Sequence, residues 1–376
     1  MSKTPIPGIV ISQLLVRSAG RCEYRGCNKS LYLDLLTKMR FNQSYLAHIV
    51  ADEPGGPRGD AVRSKLLAKD LNNLMLLCDT HHRLVDKIDV VGHPESSLLQ
   101  MKQEHEDRIE RVTAIAADRQ SHILTYRANV GVHTREVSYQ AVSQYLQPEY
   151  YPAEAAAIDL SLTNSLERDR DATFWSSELM NLEKQVERKL HRLFSKGEIK
   201  HLSIFAFAPM PLLIKLGSLV NDVSVADIYH PVRSPNTWKL TNDPAATVYS
   251  VVTPTEKSKT VALNISLSAT ITNDRIAKVL GDDCSIYTVT MDAPYNDYLK
   301  CKSDLEAFGK LIRRLFDQIK VAYGEGTPLH IFPAMPIATA VELGRVWMPK
   351  ADMPLWIYDQ NTAVDGFMKA IEIHNK

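Results

Sequence analysis

The sequence predicts a two-part chain: an α+β N-terminal unit organised by a metal knuckle, then a larger α/β unit of two related halves. Three observations predict it. The first 90 residues hold two short-spaced ligand pairs, Cys22 with Cys27 and Cys78 with His81. From about residue 150, strand-like runs alternate with helical ones, the pattern of a mainly parallel sheet. Within that region one phrase occurs twice: "SIFAFAPMPLLIKLGSLV" followed by "ADIYH", and "LHIFPAMPIATAVELGRVW" followed by "PLWIYDQ". Each reads as a strand, a Met-Pro turn, a helix with a Leu-Gly pair, then a strand with Ile-Tyr. Met210-Pro211 matches Met335-Pro336, although the Leu-Gly pairs are two residues out of step. Turn chemistry shared by unrelated βα units would give the same echo, so a true repeat is one of two readings.

In chain order, residues 9–19 read as a short helix and "RCEYRGC" as a tight cysteine-bearing turn. "SYLAHIV" (44–50) has strand character, and "ADEPGGPRGD" (51–60) is a Gly/Pro loop. "AVRSKLLAKD" is helical. "NLMLLC" is a short apolar run that "DTHHRLVD" continues as a helix. Residues 96–120 show helical periodicity with many charges, a solvated helix leaving the first unit. The expected divisions are 1–120, a connector over 121–149 ending in a Tyr/Pro-rich stretch, and 150–376. Beyond 150, "HLSIFAFA", "VSVADIYH", "KTVALNISLSA", "SIYTVTMDA", "LHIFPA" and "PLWIYDQN" read as strands with helices between them.

Composition narrows the functional classes. The 376 residues are 45% hydrophobic and 23% charged, a globular chain able to build real cores. The 44 basic and 44 acidic residues balance, so an anionic partner must be held by local patches. No run of 18 apolar residues predicts a membrane span. The mildly apolar N-terminus is broken by Ser12, Gln13 and Arg17, unlike a signal peptide. Five cysteines, three of them close to histidines, suit reduced metal-binding thiols better than disulfides, with a cytoplasmic location as the default.

Cys22 and Cys27 have four residues between them, Cys78 and His81 two. Two close pairs separated by a long insert are what a tetrahedral structural Zn2+ needs, because each tight turn delivers two ligands. Buried core cysteines are the plainer alternative, but paired spacing does not follow from packing.

The residues around this knuckle resemble the HNH endonuclease family. The similarity rests on "CEYRGC", "AHIVADEPGGPRG" and "NLMLLCDTHH" and covers about residues 20–86. It implies a ββα-metal fold in which Cys22, Cys27, Cys78 and His81 hold the structural zinc. His48 matches the general base, work suited to an imidazole titrating near neutrality. His82 matches the ligand of a catalytic Mg2+ or Mn2+ that stabilises charge on the scissile phosphate. Asn73 matches the residue that ligates that ion or fixes the loop. The sequence departs from the family at Ala47, where many members carry Asp or His as a second metal ligand; Asp52 is a weak substitute. Arg58 in "GGPRG" is a weak candidate for a phosphate contact.

Residues 150–376 resemble the SAVED domain, itself akin to two fused CARF-type, Rossmann-like nucleotide sensors. The residues that carry this are "FAFAPMPLLIKLGSLV", "ADIYHPVRSPNTWKL" and "FPAMPIATAVELGRVWMPKADMPLWIYDQN". HNH followed by SAVED is the arrangement of an effector nuclease of CBASS, a bacterial anti-phage system. The resemblance implies a homo-oligomer that degrades double-stranded DNA once a cyclic di- or trinucleotide binds. Ligands of open α/β sheets sit beyond the strands' carboxyl ends, at helix N-termini that favour phosphates. Met210, Pro211, Met335 and Pro336 occupy that place. Tyr229, Trp238, Trp356 and Tyr358 are candidates for stacking on bases, and Arg233 and Lys239 for pairing with phosphate. Ordinary core is the competing reading for each Met and aromatic.

Two other functions remain open. A modification-dependent restriction endonuclease would need a basic C-terminal DNA reader, and the later region has no marked excess of Lys and Arg. A non-catalytic zinc-knuckle DNA-binding protein needs only the zinc ligands; it leaves His48 and His82 without a role but accommodates Ala47.

Overall fold

The computed structural model describes residues 4–34, 36–130, 136–162, 167–171, 173–221, 225–361 and 366–374. The chain forms two compact units, residues 1–117 and 118–376.

The first unit contains α1 (Gly8–Arg17), β1 (Ser44–His48), α2 (Arg63–Leu67), β2 (Leu74–Cys78), α3 (Asp79–Arg83) and α4 (Glu95–Thr113). β1 and β2 pair antiparallel, Ser44 opposite Cys78 and His48 opposite Leu74. All five residues of β2 are buried. That explains its unbroken apolar run, since alternation appears only when one strand face meets water. Leu14, Leu31, Ala47, Ile49, Val85, Leu98 and Met101 close the core around it. A π-turn, Leu84–Ile88, extends α3.

The second unit runs β3 (Gln120–Arg127), α5 (Tyr139–Val142), β4 (Tyr151–Pro152), β5 (Ile158–Asp159), α6 (Phe174–Val186) and α7 (Arg192–Ser195). It continues with β6 (Leu202–Phe207), α8 (Met210–Val220), β7 (Ala226–Tyr229), β8 (Ser250–Val252), β9 (Thr260–Ser266) and α9 (Asn273–Leu280). Last come β10 (Cys284–Thr290), α10 (Lys302–Tyr323), β11 (Leu329–Ala334), α11 (Ile337–Val346), β12 (Leu355–Asn361) and β13 (Gly366–Ile373). One sheet has the order β4-β3-β6-β7 with β5 also on β3, and the other β13-β12-β11-β9-β10-β8. The first is parallel throughout, and in the second only the edge strands β8 and β13 are antiparallel.

The segment expected as a connector, 121–149, instead opens within β3. That strand pairs with β6 along its length, from His122 opposite Leu202 to Arg127 opposite Phe207. Tyr126 and Leu124 are fully buried. Burial on both faces erased the period-two signal, and Gln120, Ser121 and His122 disguised the strand's start.

The echoed phrases form two parallel βαβ units, β6-α8-β7 and β11-α11-β12. Their helices pack together at the Leu-Gly pairs. A Cβ on Gly217 would lie 2.0 Å from the Val341 carbonyl oxygen, and one on Gly344 would lie 1.9 Å from that of Ile214. The two-residue mismatch also resolves. α8 begins at Met210, whereas Pro336 caps α11 from outside, so each glycine is the eighth residue of its helix.

Candidate functional site

In the first unit, the ligand atoms of Cys22, Cys27, Cys78 and His81 lie within 4.8 Å of one another. Two turns bring them there. Gly26, at φ +82°, lets the chain reverse between the first two cysteines. Cys78 ends β2 and caps α3, whose first turn delivers His81. His81 Nδ1 lies 3.1 Å from Cys78 Sγ and 3.6 Å from Cys22 Sγ. Tyr24 stacks on the His81 ring at 4.1 Å, and the Cys78 N–H donates to Cys22 Sγ (3.4 Å). Burial, with the two neighbouring thiols adding to it, pushes the Cys22 thiol well above its ordinary range. Three crowded sulfurs and one aimed imidazole are an unfavourable apolar core but a fitting donor set for Zn2+.

His48, at the end of β1, is buried, and its Nε2 lies 3.0 Å from the Ala68 carbonyl. A carbonyl only accepts, so Nε2 carries the proton and Nδ1 is the basic nitrogen. Asn73 is an internal tie: its Oδ1 accepts the Val50 N–H (2.8 Å), and its Nδ2 donates to the carbonyls of Val50 (2.8 Å) and Leu67 (3.2 Å). It fixes the loop after β1. His82 Nε2 lies 3.2 Å from Asp86 Oδ2, and its ring stacks on Tyr45 at 4.5 Å. Ala47 is buried in the apolar core. Asp52 accepts the Thr4 N–H at 3.3 Å. Arg58 is not a surface group: its side chain is 8% exposed and bound to internal carbonyls and Asp86. Sequence reading passed over Asp86, although the i,i+4 spacing from His82 on a helix was a usable signal.

In the second unit, a cavity of about 490 Å3 lies beyond the carboxyl ends of β6, β7, β9 and β11. Met210 borders it from the β6–α8 turn, Met335 and Pro336 from the β11–α11 turn, and Arg233 from the segment after β7. Pro211 is buried within α8 and is not part of the lining. His230, Ser268 and Asn296 add polar groups that sequence reading did not single out. The first two follow the ends of β7 and β9 closely, which was the available signal. Both α8 and α11 start at this cavity, so their N-termini favour negative charge there.

The other candidates lie elsewhere. Tyr229 stacks on Phe205 at 4.2 Å, and Trp238 meets Phe205 edge-on at 5.6 Å, both buried. Tyr358 stacks on Phe332 at 4.4 Å, and its hydroxyl lies 2.8 Å from His330 Nδ1. Burial pushes that imidazole down to about 4. Trp356 lies edge-on to His330 with the Lys369 ammonium 4.2 Å over its ring. Lys239 pairs with Glu149 at 2.6 Å and donates to the Gln147 carbonyl at 2.7 Å. These aromatics project onto sheet faces and into core, whereas the cavity is built mostly from the loops beyond the strands, with Phe207 at the end of β6.

The family model described as SAVED, the SMODS-associated and fused to various effectors sensor domain, matches residues 182–373. That is 192 of 376 residues, just over half. No curated protein matches the chain. Among solved structures, the Acinetobacter baumannii Cap4 SAVED/CARF-domain containing receptor with the cyclic trinucleotide 3'3'3'-cAAA is 13% identical, with a TM-score of 0.45. The match covers 78% of this chain and 66% of that one. The same receptor with 2'3'3'-cAAA matches at 13% identity, TM-score 0.44 and the same coverage. The Moraxella osloensis Cap4 receptor matches at 12% and 0.37, covering 74% of this chain and 60% of that one. This chain therefore spans less than two thirds of the length of these structures. Among the described residues, no helix is long and apolar enough to cross a membrane.

Proposed function

The chain belongs to the SAVED family of sensor domains, and from that premise we propose a DNA endonuclease switched on by a cyclic oligonucleotide. The observation that carries this reading is the cavity at the two Met-Pro turns. The Met-Pro turns of the two βαβ units face one space of about 490 Å3, with Arg233 at its edge. Two helix starts and a guanidinium suit a cyclic ligand bearing two or three phosphates. The family description joins such sensors to effectors, and here the first unit stands in the effector's place.

Its residues support hydrolysis. The zinc quartet ties the turn at Cys22 to the start of α3. His48 Nδ1 accepts the proton of the attacking water as the new P–O bond forms and the bond to the leaving oxygen breaks. A divalent Mg2+ or Mn2+, when bound, neutralises charge on the phosphate. With zero net charge, one chain holds double-stranded DNA weakly, and a ligand-induced homo-oligomer pools several modest contacts. The buried Ala47 favours a second reading, a zinc-knuckle DNA-binding protein without catalysis.

Plasmid incubated with the full chain and Mg2+, across a panel of cyclic di- and trinucleotides, separates these. Degradation is expected with one of them only, none with His48→Ala, and a right-shifted ligand dose with Arg233→Ala. Cleavage indifferent to every cyclic nucleotide refutes the gating; intact plasmid throughout favours the non-catalytic reading.

A further inference from the structure

We infer that Asp86 supplies the oxygen ligand that the chain lacks at Ala47, and that Arg58 is the positioning residue that aims it. This rests on the nuclease reading above. Ala47 pairs across from Met75 and is 3% exposed in the apolar core, whereas His48 is the next residue of the same strand. The Ala47 methyl group offers no ligand atom.

Asp86 answers that vacancy from the helix. It lies one turn after His82, and its Oδ2 is 3.2 Å from His82 Nε2. Neighbouring ligands of an octahedral Mg2+, at about 2.1 Å from the ion, stand about 3.0 Å apart. The two atoms already have nearly that separation. One imidazole and one carboxylate leave the remaining positions to water and phosphate oxygens, the usual environment of a hard divalent ion at a phosphate. Tyr45, stacked on the His82 ring, restrains its rotation.

The other carboxylate oxygen is held as well. Asp86 Oδ1 accepts from Arg58 Nη2 at 2.6 Å. The same guanidinium donates to the carbonyls of Ile49 (2.6 Å), Val85 (3.0 Å) and His93 (3.4 Å). Ile49 follows His48 directly, so one side chain ties the strand of the general base to the turn of Asp86. Arg58 also sits at φ +55°, a conformation unfavourable for a residue with a Cβ. The π-turn over Leu84–Ile88 sets where Asp86 projects, as such turns often do at functional sites. Outer partners that orient ligand carboxylates in this way typically govern metal affinity by 10- to 100-fold, roughly.

Mn2+ titration of the full zinc-loaded chain, followed by the electron paramagnetic resonance of free Mn2+, tests this without any cleavage. Asp86→Asn is expected to weaken binding at least tenfold, and Arg58→Lys about tenfold, both with zinc content unchanged. Should Asp86→Asn shed its zinc, Asp86→Ser takes its place in the same titration. If His82→Ala abolishes Mn2+ binding while the Asp86 variants bind like wild type, Asp86 is not a ligand and the nuclease reading stands. If the wild type binds no Mn2+, or none of these variants alters binding, both fall together.

Discussion

Adjacent histidines with separate partners are the sharpest feature at the scale of residues. Consecutive helical residues point about 100° apart. That rotation sends His81 to the sulfurs and Tyr24, and His82 to Asp86 and Tyr45. His81→Ala should therefore drop zinc well below about one per chain and melt the first unit, because structural zinc binding is folding free energy. His82→Ala should keep the zinc and the melting temperature, losing only the Mn2+ site. Metal analysis with thermal melts checks both; equal zinc loss in the two variants would dissolve the distinction. The cluster of Cys22, Cys27, Cys78 and His81 was legible in the sequence, since short spacing within a turn is a local property. The role of Arg58 was not, because it is defined by backbone groups up to 35 residues away; for Asn73 the sequence offered an ion or the loop, and its bonds to Val50 and Leu67 are those of a loop tie.

Among elements, α8 and α11 show how an echoed phrase becomes a contact. The glycines stand where each helix meets the other's backbone, so neither tolerates a side chain. Gly217→Ala and Gly344→Ala should each destabilise the second unit by at least about 2 kcal/mol, the cost of forcing atoms into a packed core. Gly326→Ala, with nothing within 4 Å of the added Cβ, is the control and should change little. Urea unfolding gives the comparison; a silent Gly217→Ala would mean the helices can part freely. The echo itself could be read from the letters, but the reason for the Leu-Gly pairs could not. That needed the two helix starts, displaced by two residues relative to the Met-Pro turns.

At the scale of the whole molecule, the division between units falls at 117/118. A fragment of residues 118–376 should fold alone, whereas 150–376 should not, for it lacks β3, the strand that joins β4, β5 and β6. Circular dichroism and gel filtration of the two fragments decide this; a cooperative melt of the shorter one would demote β3 to decoration. The sequence by itself determined the Cys/His cluster, the α/β alternation, the internal echo and the family resemblance. These depend on residue type and short spacing, which one chain displays directly. Only the tertiary structure decided that the Met-Pro turns and Arg233 share a cavity while Tyr229, Trp238, Tyr358 and Lys239 do not, and that Arg58 reaches Asp86 and the Ile49 and Val85 carbonyls. Such facts depend on which way a side chain leaves its strand or helix and on what distant backbone meets it, and neither is written in local order.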